Sequence, residues 1–185
     1  MPNHQPIDLF ELTAARKRLS WFVQMQAHQT AHYVGFGWEA KNDAPSDYPS
    51  LVEAFENSLQ TGKPLPISNA FCDRTIYLSP AGNVQMRFWH DVSHVRTGRT
   101  FRGSDELQLA EYHLRAASRA GFTRDSLEHR LFYADTMGQA SCQINVGRYP
   151  EDQLDFALRC VRYGVPAAID YELKLLRESQ PGDAA

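Results

Sequence analysis

Long hydrophobic runs are missing from this chain. No stretch of about 18 consecutive apolar residues occurs, so no transmembrane helix is expected. An excess of charge of one sign is missing too: 19 basic residues stand against 22 acidic ones, a formal net charge of −3. Binding to a phosphate backbone needs a basic surface, so the balance speaks against a nucleic-acid partner. Cysteine is scarce, with 3 in the chain. Cys72, Cys142 and Cys160 are odd in number and lack metal-site spacing. They read as reduced thiols and small buried hydrophobes rather than as a catalytic thiol. The segment Met1-Pro2-Asn3-His4-Gln5-Pro6 has neither a basic nor an apolar stretch of the signal-peptide kind. A cytoplasmic location is therefore expected. There is no internal repeat and no low-complexity tract.

What is present is an ordinary globular composition. Apolar residues make up 43% and charged residues 22% of the 185-residue chain, which excludes general disorder. The length fits one domain. The first helix is expected from about Leu9 to beyond Gln26, with Asp8 and Glu11 at capping-box spacing. Leu12, Ala15, Leu19 and Phe22 form its apolar stripe, and Gly35 and Gly37 end it. Trp21, Met25, His28 and His32 make a second stripe, as in a helix that is central or shared with a partner subunit. A second helix starts at Ser50 and Glu53 and closes at Gly62.

Residues 75–88 read differently. Ile76 and Leu78 alternate, Ser79-Pro80-Ala81-Gly82 intervenes, and Val84, Met86 and Phe88 alternate again, which predicts a β-hairpin. Helices then resume. Gly98 stops one, Ser104 caps another that ends before Gly121, and Asp125 and Glu128 open a third. Pro150 and Pro166 start the last two, with Gly164 between them. The expected fold is mainly α: a single helical domain over residues 1–178, about six helices, a small β-hairpin near residues 75–88, and a disordered tail at 179–185.

One segment carries chemistry. In His90-Asp91-Val92-Ser93-His94 the imidazoles are four residues apart, on one face of a helix, and can share an ion. Phe88, Val92 and Val95 give that helix a side to bury, and the histidines lie beside it. A metal needs three or four protein ligands. Glu106 is the natural third, in the first turn of the next helix after the Gly98 loop. Asp91 is the fourth: it can reach the ion in a bent geometry or orient an imidazole. His113 falls seven residues beyond Glu106 on the same border of the core, and is a pocket candidate. Arg96, Arg99 and Arg102 form either a solvated loop or an anchor for a phosphate or carboxylate. His28 and His32 read as a polar or interface face. Glu128 and His129 diverge and read as surface or network residues. Gln139 and Gln143 are one turn apart and suit a polar patch.

His90-Asp91-x-x-His94, then 11 residues, then Glu106, resembles the metal motif of the coenzyme Q (ubiquinone) biosynthesis protein four family. His94-Val95-Arg96-Thr97-Gly98 is similar to that family's His-Val-x-Thr-Gly, and the likeness covers about His90 to His113. The resemblance implies a mostly helical fold and metal ligands at His90, Asp91, His94 and Glu106. It implies a divalent ion, zinc first, with iron or magnesium as alternatives. It implies C1 oxidative decarboxylation of the ring of a prenylated aromatic molecule, an apolar isoprenoid channel and a homodimer. Such a channel would be lined from the helices holding Trp89, Leu109, Leu131 and Phe132. Peripheral membrane contact stays open. Two other readings stand beside it. One is a His-Asp metal-dependent phosphohydrolase, drawing on His28, His32 and Asp135. The other is a non-catalytic accessory or lipid-binding protein whose metal or hydrogen-bond network is structural.

Overall fold

The computed structural model describes residues 7–179. Along the chain run α1 (Leu9–Val34), β1 (Trp38–Lys41), α2 (Tyr48–Thr61), β2 (Leu65–Ser68), α3 (Pro80–Thr97) and α4 (Gly103–Arg119). Then come α5 (Leu127–Tyr133), a π turn (Ala134–Gly138), α6 (Gln139–Val146), α7 (Gln153–Tyr163) and α8 (Val165–Ser179). Because α5, the π turn and α6 are contiguous, the described residues form seven helical bodies. The mainly α class holds, with one helix more than expected. The expected tail beyond Ser179 lies outside the described residues. Among the described residues, no helix is long and apolar enough to cross a membrane.

Helix α1 begins where its side chains dictate. The Asp8 carboxylate accepts from the N–H groups of Phe10 and Glu11 at 2.9 and 3.0 Å, satisfying donors that the first turn leaves unpaired. The helix closes at Gly35, whose φ of +84° only glycine adopts freely. Two apolar clusters flank α3. Ala15, Leu19 and Phe22 of α1 pack with Trp89, Leu131, Phe132 and Phe156 in one. Phe22 is the hub: its ring meets Trp89, Phe122 and Phe132 edge-on at 5.8, 5.5 and 5.6 Å. Phe36, Leu51, Phe55, Leu65 and Ile67 pack with Phe88 and Val92 in the other. Helix α3 is thus gripped on two sides. Its third side carries Arg87, His90, Asp91 and His94 at i, i+3, i+4 and i+7, one continuous stripe.

The hairpin expected at residues 75–88 does not form. Pro80 is the first residue of α3, a position its fixed φ and missing N–H favour, so the supposed turn is a helix start. The alternation of Val84, Met86 and Phe88 is three points on a helix serving different clusters. Thr75 to Tyr77 stay irregular because Arg16 on α1 donates to the carbonyls of Thr75, Ile76 and Tyr77 at 3.1, 3.3 and 2.7 Å. The Leu78 N–H donates to the Ser20 hydroxyl at 2.9 Å. Side chains of α1 thereby replace a strand partner.

The sheet lies elsewhere. β1 and β2 pair in parallel, Trp38 opposite Leu65, with α2 as the crossover a parallel pair requires. Four expected helix starts also move. Asp47, not Ser50, caps α2, and Ser50 occupies the third position of that capping box. Arg102, not Ser104, precedes α4, without a side-chain bond. Ser126, not Asp125, caps α5 by accepting from the His129 N–H at 3.2 Å. Asp152, not Pro150, caps α7 by accepting from the Asp155 N–H at 2.9 Å. The cysteines are all free and buried, as expected. Burial pushes the Cys142 thiol up to about 11 and Cys160 to about 12, unsuited to nucleophilic work.

One close approach is testable. A Cβ on Gly82 would stand 2.8 Å from the Tyr77 Cβ and 3.3 Å from its Cγ. Gly82→Ala is expected to destabilise the fold by about 1–3 kcal/mol through overpacking, read as a lowered midpoint in urea. An unchanged midpoint would mean that the segment before α3 yields freely.

Candidate metal centre

The turn after α3 brings its end back to the start of α4. Gly98 takes φ +66° and ends α3, its N–H donating to the Val95 carbonyl. The Asp105 carboxylate then accepts from the Thr100 N–H at 2.9 Å and from its hydroxyl at 2.7 Å, fixing the loop. Glu106 follows in the first turn of α4, over the last turns of α3.

There the three groups picked from the sequence meet. One ligand atom each from His90, His94 and Glu106 lies within 4.8 Å of the others, so the group could hold a metal ion. The Nε2 atoms of His90 and His94 are 2.9 Å apart. Glu106 Oε2 is 3.2 Å from the first and its Oε1 is 3.3 Å from the second. A tetrahedral zinc with ligands at 2.0–2.1 Å holds its donor atoms about 3.3 Å apart. The cluster is within a few tenths of an ångström of that arrangement.

Tautomers point the same way. His94 Nδ1–H donates to the Arg99 carbonyl at 2.9 Å, which leaves the Nε2 lone pair facing the cluster. His90 Nδ1 lies 3.1 Å from His113 Nε2. When His90 Nδ1 is the donor, its Nε2 lone pair joins those of His94 and of the Glu106 carboxylate. Three acceptors at these distances repel unless a cation sits among them. Without a metal, a proton fills the role. Burial opposes charge on His90, but the hydrogen bond and charge of Glu106 outweigh it and raise its pKa. Burial likewise opposes ionisation of Glu106, but its bonds to His90 and His94 outweigh it and hold it down at about 2. His113 is driven well below the usual imidazole range, by burial first and by the charge on His90 and His94 next. It stays a neutral partner.

The cluster forms part of the wall of a cavity of about 770 Å³. Asp91 lines this cavity beside the three groups that converge, and burial raises its carboxyl to about 6. His113 is at the cavity, as expected, and so are Gln139 and Gln143. Arg96 and Arg99 are not. The Arg96 guanidinium lies 3.9 Å over the Tyr33 ring, and the Arg99 side chain donates to Gln108 at 3.2 Å on the surface. They point away because the loop turns outward after His94; the contribution of Arg99 is its carbonyl. His28 and His32 are exposed on α1, the former against Trp38 at 5.3 Å. They supply no upstream ligand. Glu128 and His129 are buried rather than superficial, and Arg18 pairs with Glu128. Trp89, Leu109, Leu131 and Phe132 are themselves buried, at 3% exposure or less, and the cavity is lined by other residues of the helices that hold the first two, among them Met86 on α3 and Ala110 on α4. Trp89, Leu131 and Phe132 interlock in the core around Phe22.

Several cavity residues lie outside the set expected at the metal. Asp135 sits on the π turn, a distortion that re-aims side chains and recurs at functional sites. It accepts from the Tyr77 hydroxyl at 2.7 Å and from Gln139 Nε2 at 2.9 Å, and burial lifts it to about 6. Arg87 shares the α3 stripe, and its spacing of three from His90 was readable. Phe101 packs its ring on His94 at 4.8 Å. At the rim, Phe71 has a φ of +54°, a costly conformation for a bulky residue, with its carbonyl held by Gln153 at 3.3 Å.

No family model, curated protein or solved structure matches this chain.

Proposed function

We propose that this protein is a divalent-metal-dependent enzyme, with zinc the ion its donors suit and iron or magnesium the alternatives. One observation carries the reading: the three ligand groups converge on the wall of a cavity, not inside closed packing. Structural zinc sites are enclosed by four protein ligands, whereas catalytic ones use three and keep a position open. A bound ion would polarise a substrate oxygen or lower the pKa of a water toward 7. The chain supplies the rest. Glu106 stays ionised, Arg99 and His113 hold the two imidazoles, and Asp91 and Asp135 have carboxyls that exchange protons near neutrality.

The resemblance at His90 to His113 supports a particular chemistry, C1 oxidative decarboxylation of the ring of a prenylated aromatic molecule in ubiquinone synthesis, carried out by a homodimer. An isoprenoid tail would then leave through the open side of the cavity, past Phe101 and Tyr149, since the core beside Trp89 is filled. Phosphate hydrolysis of the His-Asp kind draws less support, with His28 and His32 distant.

Elemental analysis of protein purified without a metal-affinity tag tests the proposal. One equivalent of ion is expected in the wild type and almost none in His94→Ala or Glu106→Ala. A wild type that takes up no ion when zinc is supplied would overturn it. A co-purifying isoprenoid, seen by mass spectrometry, would favour the ubiquinone chemistry over the other metal-dependent reactions.

A further inference from the structure

Arg87 differs from the other arginine at the cavity in being uncommitted. Arg148 is tied to Glu151 at 3.1 Å and to Glu172 at 3.3 Å. Arg87 makes one hydrogen bond among the described residues, from Nη1 to the Ser68 carbonyl at 2.9 Å, and no ion pair. That bond reaches from α3 to the end of β2 and anchors one corner of the guanidinium. A guanidinium has five N–H donors in a flat fork, so most of its donors are left over. A half-buried guanidinium in a cavity wall is costly to leave so weakly paired.

Its position gives the surplus a purpose. Arg87 precedes His90 by three residues and Asp91 by four, so it stands one helical turn from the metal cluster on the same stripe. Arg87, its partner Ser68 and the cluster all line the same cavity. With an ion on His90, His94 and Glu106, that stripe presents two adjacent positive centres. The one ionised carboxylate among the three ligands cannot neutralise both. The acids nearby do not fill the fork: neither Asp91 nor Asp135 is in ion-pair contact with it, and Asp135 is taken up by the Tyr77 hydroxyl at 2.7 Å and Gln139 at 2.9 Å.

We infer that the cavity takes a ligand with an oxyanion end, a carboxylate or a phosphate, bridged between the metal at His90, His94 and Glu106 and the Arg87 guanidinium. The inference rests on the metal-dependent reading above and adds the charge class of the substrate. Carboxylates and phosphates both suit the fork, which binds two of their oxygens at once. The volume of about 770 Å³ is in the range of small-molecule sites, so the anion is the head of a larger ligand.

Cobalt(II) substitution makes both arms visible, since anion binding at the ion changes the visible absorption of the protein. Titration with cobalt alone scores the metal reading. Titration of the cobalt-loaded protein with inorganic phosphate, and separately with acetate, scores this inference and separates the two anion sources. A saturable change with at least one anion is expected. Arg87→Gln should weaken that anion by about 10- to 100-fold, as for a lost charged hydrogen bond, while cobalt affinity stays the same. Arg87→Lys should recover part of the loss. Arg96→Gln, whose residue lies on Tyr33 outside the cavity, should change nothing. Cobalt binding with no saturable anion response, or an anion affinity equal in wild type and Arg87→Gln, overturns the inference and leaves the metal reading intact. Failure of cobalt to bind overturns both. Unchanged cobalt affinity in Arg87→Gln also shows that the variant is folded at the site.

Discussion

Removing zinc from the loaded protein at about pH 7.5 is expected to lower its melting temperature by about 5–10 °C. An ion at 100 times its Kd stabilises the fold by about 2.7 kcal/mol, and in a chain of this size each kcal/mol moves the midpoint by about 2–4 °C. The effect should shrink in acid, and its sign follows from the cluster. Glu106 is held down at about 2, so it stays an anion throughout the useful range. Among the three ligand groups His90 titrates in that range: Glu106 raises its pKa in the metal-free protein. A histidine raised on folding adds stability that is fully present below its unfolded value near 6.5 and is lost as pH rises through the folded value. The contribution of His90 to the metal-free protein therefore falls on going from acid to neutral, while the ion, which needs neutral imidazoles, binds better. The gap between loaded and stripped protein should open over that interval. His94→Ala or Glu106→Ala should close it, and His28→Ala, an exposed residue against Trp38, should not. Loaded and stripped proteins that melt together at every pH would show an ion uncoupled from folding.

What the sequence made legible was local. Asp8 caps α1, and Gly35, Gly62 and Gly98 end helices, because caps and positive φ depend on neighbours a turn away. The metal cluster belongs to the same kind: two imidazoles four apart, and a carboxylate returned by a short loop with a glycine stop. What was illegible depended on partners distant in the chain. Residues 75–78 alternate like a strand, but Arg16 and Ser20 of α1 take their backbone groups. β1 and β2 are four residues each, with Pro66 in one, too short and too polar to announce a parallel pair. Asp135 was named only for the phosphohydrolase reading, and its place at the cavity was beyond reach, because nothing in Ala134-Asp135-Thr136-Met137-Gly138 signals a π turn. The place of three apolar side chains was hidden for a related reason. Trp89, Leu131 and Phe132 suit a core or a pocket wall alike, and only the three-dimensional packing of Phe22 among them places them in the core.

The second large effect is expected at His113, which touches no ion. Its Nε2 faces His90 Nδ1 at 3.1 Å, and its Nδ1 is buried without a partner. Its ring stands edge-on to Trp89 at 4.1 Å. As an acceptor, Nε2 fixes the proton of His90 on Nδ1 and so commits the other nitrogen to the ion. Such supports are worth about 10- to 100-fold in metal affinity. His113→Phe should cost that much, because His90 is then free to carry its proton on either nitrogen. The same substitution replaces a buried nitrogen that has no partner by carbon, against an aromatic neighbour. The metal-free protein should therefore melt at the same temperature or higher. A residue that served only as packing would move both quantities together, or neither. A lower zinc affinity with undiminished metal-free stability, and partial recovery in His113→Gln through its side-chain oxygen, identifies a positioning histidine. Zinc affinity unchanged in His113→Phe would show that Glu106 and the Arg99 carbonyl suffice to orient the pair.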